Sequence, residues 1–225
     1  MVTLPVVGQV SRKDPLDSQR RARRSRRPNR YHHGDLPRAL LDAALDIVET
    51  EGTEALTLRA TARLAGVSQT APYRHFVNKE AILAAVAEEG FRVLMAAMAH
   101  AAAAFADSPL ERLRAVGLAY VIFATNHSSH FRVMFGREMA DRSASTALRQ
   151  VATNTFNVVV DVIADCQRAG LVRSEEPAAD LALTAWSTVH GLSALLVDGV
   201  LDRSVAEVAE MVTRDLFFGL GARQG

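Results

Sequence analysis

Between Gly66 and Lys79 the chain places Gln69, Thr70, Tyr73, Arg74 and His75 within one short segment, all able to hydrogen-bond and none acidic. A face of that kind suits a polyanion. The amide of Gln69 can make a bidentate bond to an adenine edge, whereas Tyr73, His75 and Lys79 are better suited to phosphate oxygens. Thr57 and Ser68 have the side chains of helix N-caps, and a helix N-terminus offers free backbone N–H groups to phosphate. With Arg59 and Ala71 these make up a candidate nucleic-acid-contacting set: Thr57, Arg59, Ser68, Gln69, Thr70, Ala71, Tyr73, Arg74, His75 and Lys79. The bland alternative is a buried or partner-binding helix in some other bundle. A polar, acid-free face is poorly suited to a core.

Other chemistry is thinly represented. The pairs His32/His33 and His127/His130 have no third and fourth ligand at metal-site spacing, so solvated or capping roles are expected and no metal is called for. There is no His-Glu-x-x-His, no Glu-x-x-His, no Gly-x-Ser-x-Gly elbow and no phosphate-cradling glycine loop. Neither an enzyme nor a cofactor is expected. The single cysteine, Cys166, lies on an apolar stripe and reads as a buried small hydrophobe. Phe123, Phe131, Met134, Phe135 and Met139, with Trp186 and His190 one turn apart, could line a ligand cavity between central helices; ordinary core packing is the competing reading.

These side chains need elements to position them, and the elements read as helices throughout. The chain has 225 residues, 49% apolar and 6% aromatic, enough for one large or two small domains. Leu36, Leu40, Leu41, Ala44, Leu45 and Val48 form one helical stripe that Gly52 ends. A short helix follows from Thr57 to Gly66, a third from Ser68 to about Phe76, and a fourth from Asn78 past Gly90 toward Ala106. Further helices are expected near 110–127, 129–139, 145–169, 178–200 and 204–219. No alternating strand pattern competes, so the fold class is all-α. No apolar run approaches a membrane span and no secretory signal is read, so a cytoplasmic protein without a membrane partner is expected.

The formal charge of +1 conceals an asymmetry: residues 1–30 carry +7 and the remainder −6. That basic segment has little to bury and reads as a disordered arm with affinity for polyanions, or simply as a solvated tail.

Two short helices joined by AlaGlyValSer at 65–68 have the size of a helix-turn-helix, with Gly66 making the turn, Val67 plugging the gap and Leu58, Ala62, Ala65 and Phe76 buried. From Thr57 through Leu83 the sequence resembles the TetR family of transcriptional regulators, over about 60 residues from Asp35 to Val93. Two residues depart from the family pattern: Thr61 stands where a branched aliphatic is usual, and Pro72 replaces a usual Leu. AlaProTyr at 71–73, TyrHisHisGlyAspLeu at 31–36 and TrpSerThrValHisGlyLeu at 186–192 resemble one subgroup with a C-terminal Trp-x-x-x-His-Gly signature.

The resemblance implies a three-helix DNA-binding domain at 31–77, then a helical ligand-binding and dimerisation domain at 78–225. It also implies a homodimer through the last two helices on a pseudopalindromic operator in double-stranded DNA. Repression would be relieved by a small-molecule effector, apolar or amphipathic. The alternative is a constitutive or architectural dimeric DNA-binding protein without effector. The residues foreseen at the pocket are Phe123, Phe131, Met134, Phe135, Trp186 and His190. Leu181, Leu183, Trp186, Val189, Leu192, Leu195 and Leu196, with Val208, Met211, Val212, Leu216 and Phe217, are more apolar than one core-facing stripe needs.

Overall fold

The computed structural model describes residues 35–137, 145–201 and 203–220. The expected basic arm at 1–30, His32, His33 and Met139 lie outside them, as does the side chain of Phe217. Among the described residues there are eight α-helices and no strand, as the helical spacing predicts.

The first helix, α1 (Leu36–Glu51), begins where the Asp35 carboxylate accepts the Arg38 N–H at 3.0 Å, with proline in its first turn. Leu40, Ala43, Ala44, Ile47 and Val48 form its buried stripe, and Gly52 at φ +87° ends it. A single 3-10 turn at Thr53–Ala55, not foreseen from the sequence, leads to the fully buried Leu56. In α2 (Leu58–Ala65) the Thr57 hydroxyl accepts the Ala60 N–H at 3.0 Å. Gly66 closes the helix in the left-handed region at φ +71°, and the Val67 N–H returns to the Ala62 carbonyl at 3.0 Å. Thr61 is completely buried, its hydroxyl donating to the Thr57 carbonyl at 2.8 Å, so the polar substitute for a branched aliphatic is satisfied within its own helix.

The third helix departs from expectation. In place of a helix from Ser68 to Phe76 there is one 3-10 turn, Pro72–Arg74, preceded by a turn in which the Ala71 N–H bonds the Ser68 carbonyl at 3.0 Å. Pro72 has no N–H to return to Ser68, so the segment tightens into three-residue steps. Ser68 caps nothing here; its hydroxyl lies 3.3 Å from that of Thr70. Pro72 and Phe76 are buried and hold the turn against α2.

Asn78 then caps α3 (Lys79–Ala103), accepting the Ala81 N–H at 2.9 Å. Replacing either Thr57 or Asn78 by alanine removes a satisfied N-cap, an expected cost of about 1 kcal/mol each. For a chain of this size that lowers the melting temperature by about 2–4 °C per substitution in a calorimetric scan, with Asn78→Asp close to neutral.

The body is built around α3, which packs against α1 and against α4 (Pro109–Asn126), α5 (Ser128–Phe135) and α6 (Thr146–Arg168). The helix α5 stops four residues short of the expected boundary, because the chain turns extended at Gly136 (ψ 163°). The valine-rich run in α6 stays helical because Val159, Val162, Ile163 and Cys166 share one buried face, and tertiary packing outweighs β propensity.

Two further helices, α7 (Ala178–Val197) and α8 (Val205–Leu220), complete the bundle against α4. By length and composition α7 is apolar enough to cross a bilayer, which the sequence reading did not anticipate, yet it packs on α4, α6 and α8. The supposed apolar excess is smaller than expected. Leu181, Val189, Leu192 and Val208 are consumed by the chain's own core, leaving Leu183 (59% exposed) and Leu195 (43%) facing outward.

Candidate DNA-binding surface and effector cleft

Thr57, Arg59, Ser68, Gln69, Thr70, Tyr73, Arg74 and His75 are all exposed, while Ala71 and Lys79 are half-buried. The buried set Leu58, Ala62, Ala65, Pro72 and Phe76 forces the polar residues outward, so they share the open side of α2 and the turn after it. Arg63, exposed on α2 one turn after Arg59, adds a further cation that was passed over; the four-residue spacing was the available signal. From Thr57 to Lys79 there are four Lys and Arg residues and no carboxylate. A surface of this charge, with a helix end, hydroxyls and an amide, can bind phosphate and read base edges.

This module is tied to the body through Arg38. Its guanidinium pairs with Asp42 at 2.5 Å on α1 and with Glu89 at 2.6 Å on α3. Nearby, on α5, His130 is buried with its Nε2 3.8 Å from the Glu89 carboxylate and no hydrogen-bond partner. Burial pushes its pKa down; Glu89 and Asp42 oppose this, and His127 and Arg38 reinforce it.

Deeper in the body, Tyr120 of α4 is buried and its hydroxyl lies 2.8 Å from His190 Nδ1. In the Nε2–H tautomer of His190 the tyrosine donates this bond. Tyr120 also meets Trp186 edge-on at 4.9 Å, and Phe135 and Phe131 flank His190 at 4.5 and 5.2 Å. Burial depresses the pKa of His190 as well.

A histidine so depressed takes up its proton more readily in the unfolded chain. The stability that His130 and His190 contribute is therefore full above the unfolded value of about 6.5 and is lost as pH falls below it. The melting temperature is expected to drop between pH 7.5 and 5.5. A constant or rising value would contradict the placement of both rings.

Beside this cluster a narrow cleft, about 40 Å³ once open solvent is set aside, runs between α3, α4, α6, α7 and α8. Its walls include Met98, Leu113, Val159, Trp186, Val189 and Leu216. At one end Gly117 allows α8 to close in: a Cβ there would stand 2.9 Å from Thr213 Cγ2. Of the residues foreseen at a pocket, Trp186 lines this cleft. Phe131, Phe135 and His190 stand behind Trp186 and Tyr120. Phe123 stacks on His127 at 5.1 Å, and Met134 is buried against Gly90. Tyr120, which joins cleft and cluster, was overlooked. A tyrosine on the apolar stripe of Val116 and Phe123 needs a buried partner for its hydroxyl, and that requirement was the signal available. Cys166 is fully buried, its thiol pushed up to about 11 chiefly by desolvation and its Sγ 3.2 Å from the Pro109 carbonyl, which fits a packing role.

Two family models match the chain: bacterial regulatory proteins of the tetR family over residues 40–86, and the tetracyclin repressor-like C-terminal domain over 113–216. The class A tetracycline repressor of transposon 1721 from Escherichia coli is 46% identical over 52 residues. That match spans 23% of this chain and 24% of the relative's length. A structure of a protein of unknown function from Rhodococcus sp. RHA1 superimposes with a TM-score of 0.75 at 34% identity, over 86% of this chain and 100% of that one. A tetR-family regulatory protein from Rhodococcus RHA1 shares the fold at a TM-score of 0.70 and 23% identity, over 84% and 98%.

The acid-free face of α2 and the turn after it, within the segment that the tetR-family model matches, defines a DNA-binding transcriptional regulator. Within that class, the chain belongs to the tetR family of bacterial regulatory proteins.

Proposed function

We propose that the chain is a ligand-released repressor that acts as a homodimer on a pseudopalindromic operator. The observation that carries this reading is the course of α3. Its first turn, at Lys79, adjoins the DNA-facing residues, its middle is tied to α1 through Glu89, and Met98 near its end lines the cleft. A ligand that binds better to one position of α3 biases the spacing of the two recognition surfaces, by no more than that difference in affinity. The functional boundary near residue 78 falls at the start of this helix, separating the DNA-binding residues 31–77 from the effector-binding and dimerising remainder.

Dimerisation through α7 and α8 is supported by the outward Leu183 and Leu195, and by Gly191, where an added Cβ would meet nothing within 4 Å of the single chain. Two copies place two reading faces one helical turn of DNA apart, about 34–36 Å, inside the compartment that holds the chromosome. The open cleft favours an effector-responsive protein over an architectural one. The Trp186, His190 and Gly191 signature supports assignment to the subgroup noted in the sequence.

A reporter under the control of the chain's own upstream region tests the sign of regulation. Co-expression of the chain is expected to lower reporter output; an increase would make it an activator, and no change would move its operator elsewhere.

A further inference from the structure

The charge at the mouth of the cleft selects among ligands. Among its described lining residues the charged one is Arg114, and its guanidinium is already engaged by Glu111 at 3.3 Å and by Glu210 of α8. Glu111 and Glu210 stand beside the cleft wall, and with Arg114 they form a group of three whose net charge is −1. The hydroxyls of the interior are both engaged. The Thr213 hydroxyl donates to the Ala209 carbonyl at 2.8 Å, and the hydroxyl of Tyr120 is engaged with His190. A carboxylate head group would meet net negative charge beside the mouth, and if drawn inward it would be desolvated away from any cation.

We infer that the effector cleft takes lipophilic cations, with the apolar tail against Met98, Val159 and Trp186 and the positive head at Glu111 and Glu210, and that it discriminates against fatty carboxylates. This rests on the reading of the cleft as the effector site. The arrangement is specific to these residues: without Glu111 and Glu210, Arg114 would make the same cleft an anion receptor.

The test uses three probes of equal chain length, decylammonium, decanol and decanoate, each kept below its micelle-forming concentration. The chain has a single tryptophan, and it lines the cleft, so its fluorescence reports occupancy directly. Decylammonium is expected to bind about tenfold more tightly than decanol, and decanoate about tenfold more weakly, with both differences shrinking as salt is raised. The double substitution Glu111→Gln with Glu210→Gln frees Arg114 and should invert the order; both positions are largely solvent-facing, so the fold is expected to survive. Equal binding of the three probes, or a preference for decanoate in the unsubstituted chain, would overturn the selectivity while leaving the effector site standing. Failure of all three to perturb Trp186 would overturn the cleft as an effector site, and the selectivity with it.

Discussion

Tyr73→Ala is expected to weaken operator binding about a hundredfold while leaving thermal unfolding unchanged. Tyr73 is 51% exposed on the turn after α2, and its ring is not part of the buried core. Its truncation therefore removes little that stabilises the fold. A hydroxyl donating to a phosphate oxygen contributes about 1.5 kcal/mol, as hydrogen bonds to charged groups do. A symmetric dimer makes each contact twice, and about 3 kcal/mol corresponds to a little over two decades of affinity. Tyr73→Phe separates hydroxyl from ring: it should lose nearly as much if the contact is to phosphate, and far less if the ring packs against sugar or base. Fluorescence anisotropy with a labelled duplex reads both variants. Affinity equal to that of the parent chain would mean that this face does not meet DNA.

Met134→Ala should be among the most destabilising single changes in the body, and a second substitution should partly reverse it. Met134 is fully buried where α5 crosses α3 at Gly90, so close that a Cβ on residue 90 would stand 2.5 Å from its sulfur and 3.2 Å from His130 Cβ. Truncating the methionine leaves a cavity, at a cost of about 2–5 kcal/mol. Gly90→Ala on its own gains about 1 kcal/mol of helix propensity and loses about 1–3 kcal/mol to overpacking. In the double variant the new methyl enters the space that Met134 vacates. Its stability should therefore exceed the sum of the two single effects by about 1 kcal/mol or more, measured by urea unfolding. Strict additivity would mean that α5 does not rest on α3 at this point. The contact matters beyond stability, because α5 carries His130 toward Glu89 on one side and Phe131 and Phe135 toward His190 on the other.

The sequence was most informative where structure is local. Thr57, Gly66 and Asn78 act through bonds to residues within five positions, so their capping and turning roles could be read from residue type and spacing. The same logic, applied to Ser68 with too little weight on Pro72, produced a helix where the chain makes a single tight turn. The missing N–H decided the outcome four residues away. The end of α5 at Gly136 depended on a backbone that turns extended, which the apolar pattern through Met139 did not reveal. The exposure of the polar set from Thr57 to His75 was legible because polarity alone drives such side chains outward. The cleft was not, because it is assembled from five helices: Tyr120 and His190 lie 70 positions apart and Arg114 and Glu210 lie 96 apart, distances over which periodicity carries no information. The sequence pointed to the aromatic cluster, and packing set the cavity on the other side of Trp186.

The most direct test is a titration of the purified chain against a duplex covering its own upstream region, with a scrambled duplex as control, across a range of salt concentrations. The account predicts binding to the upstream duplex that persists at physiological salt, at least a thousandfold tighter than to the control, as specific protein–DNA contacts give. Equal and steeply salt-dependent binding to both would contradict it, since it would leave only phosphate contacts and no reading of sequence.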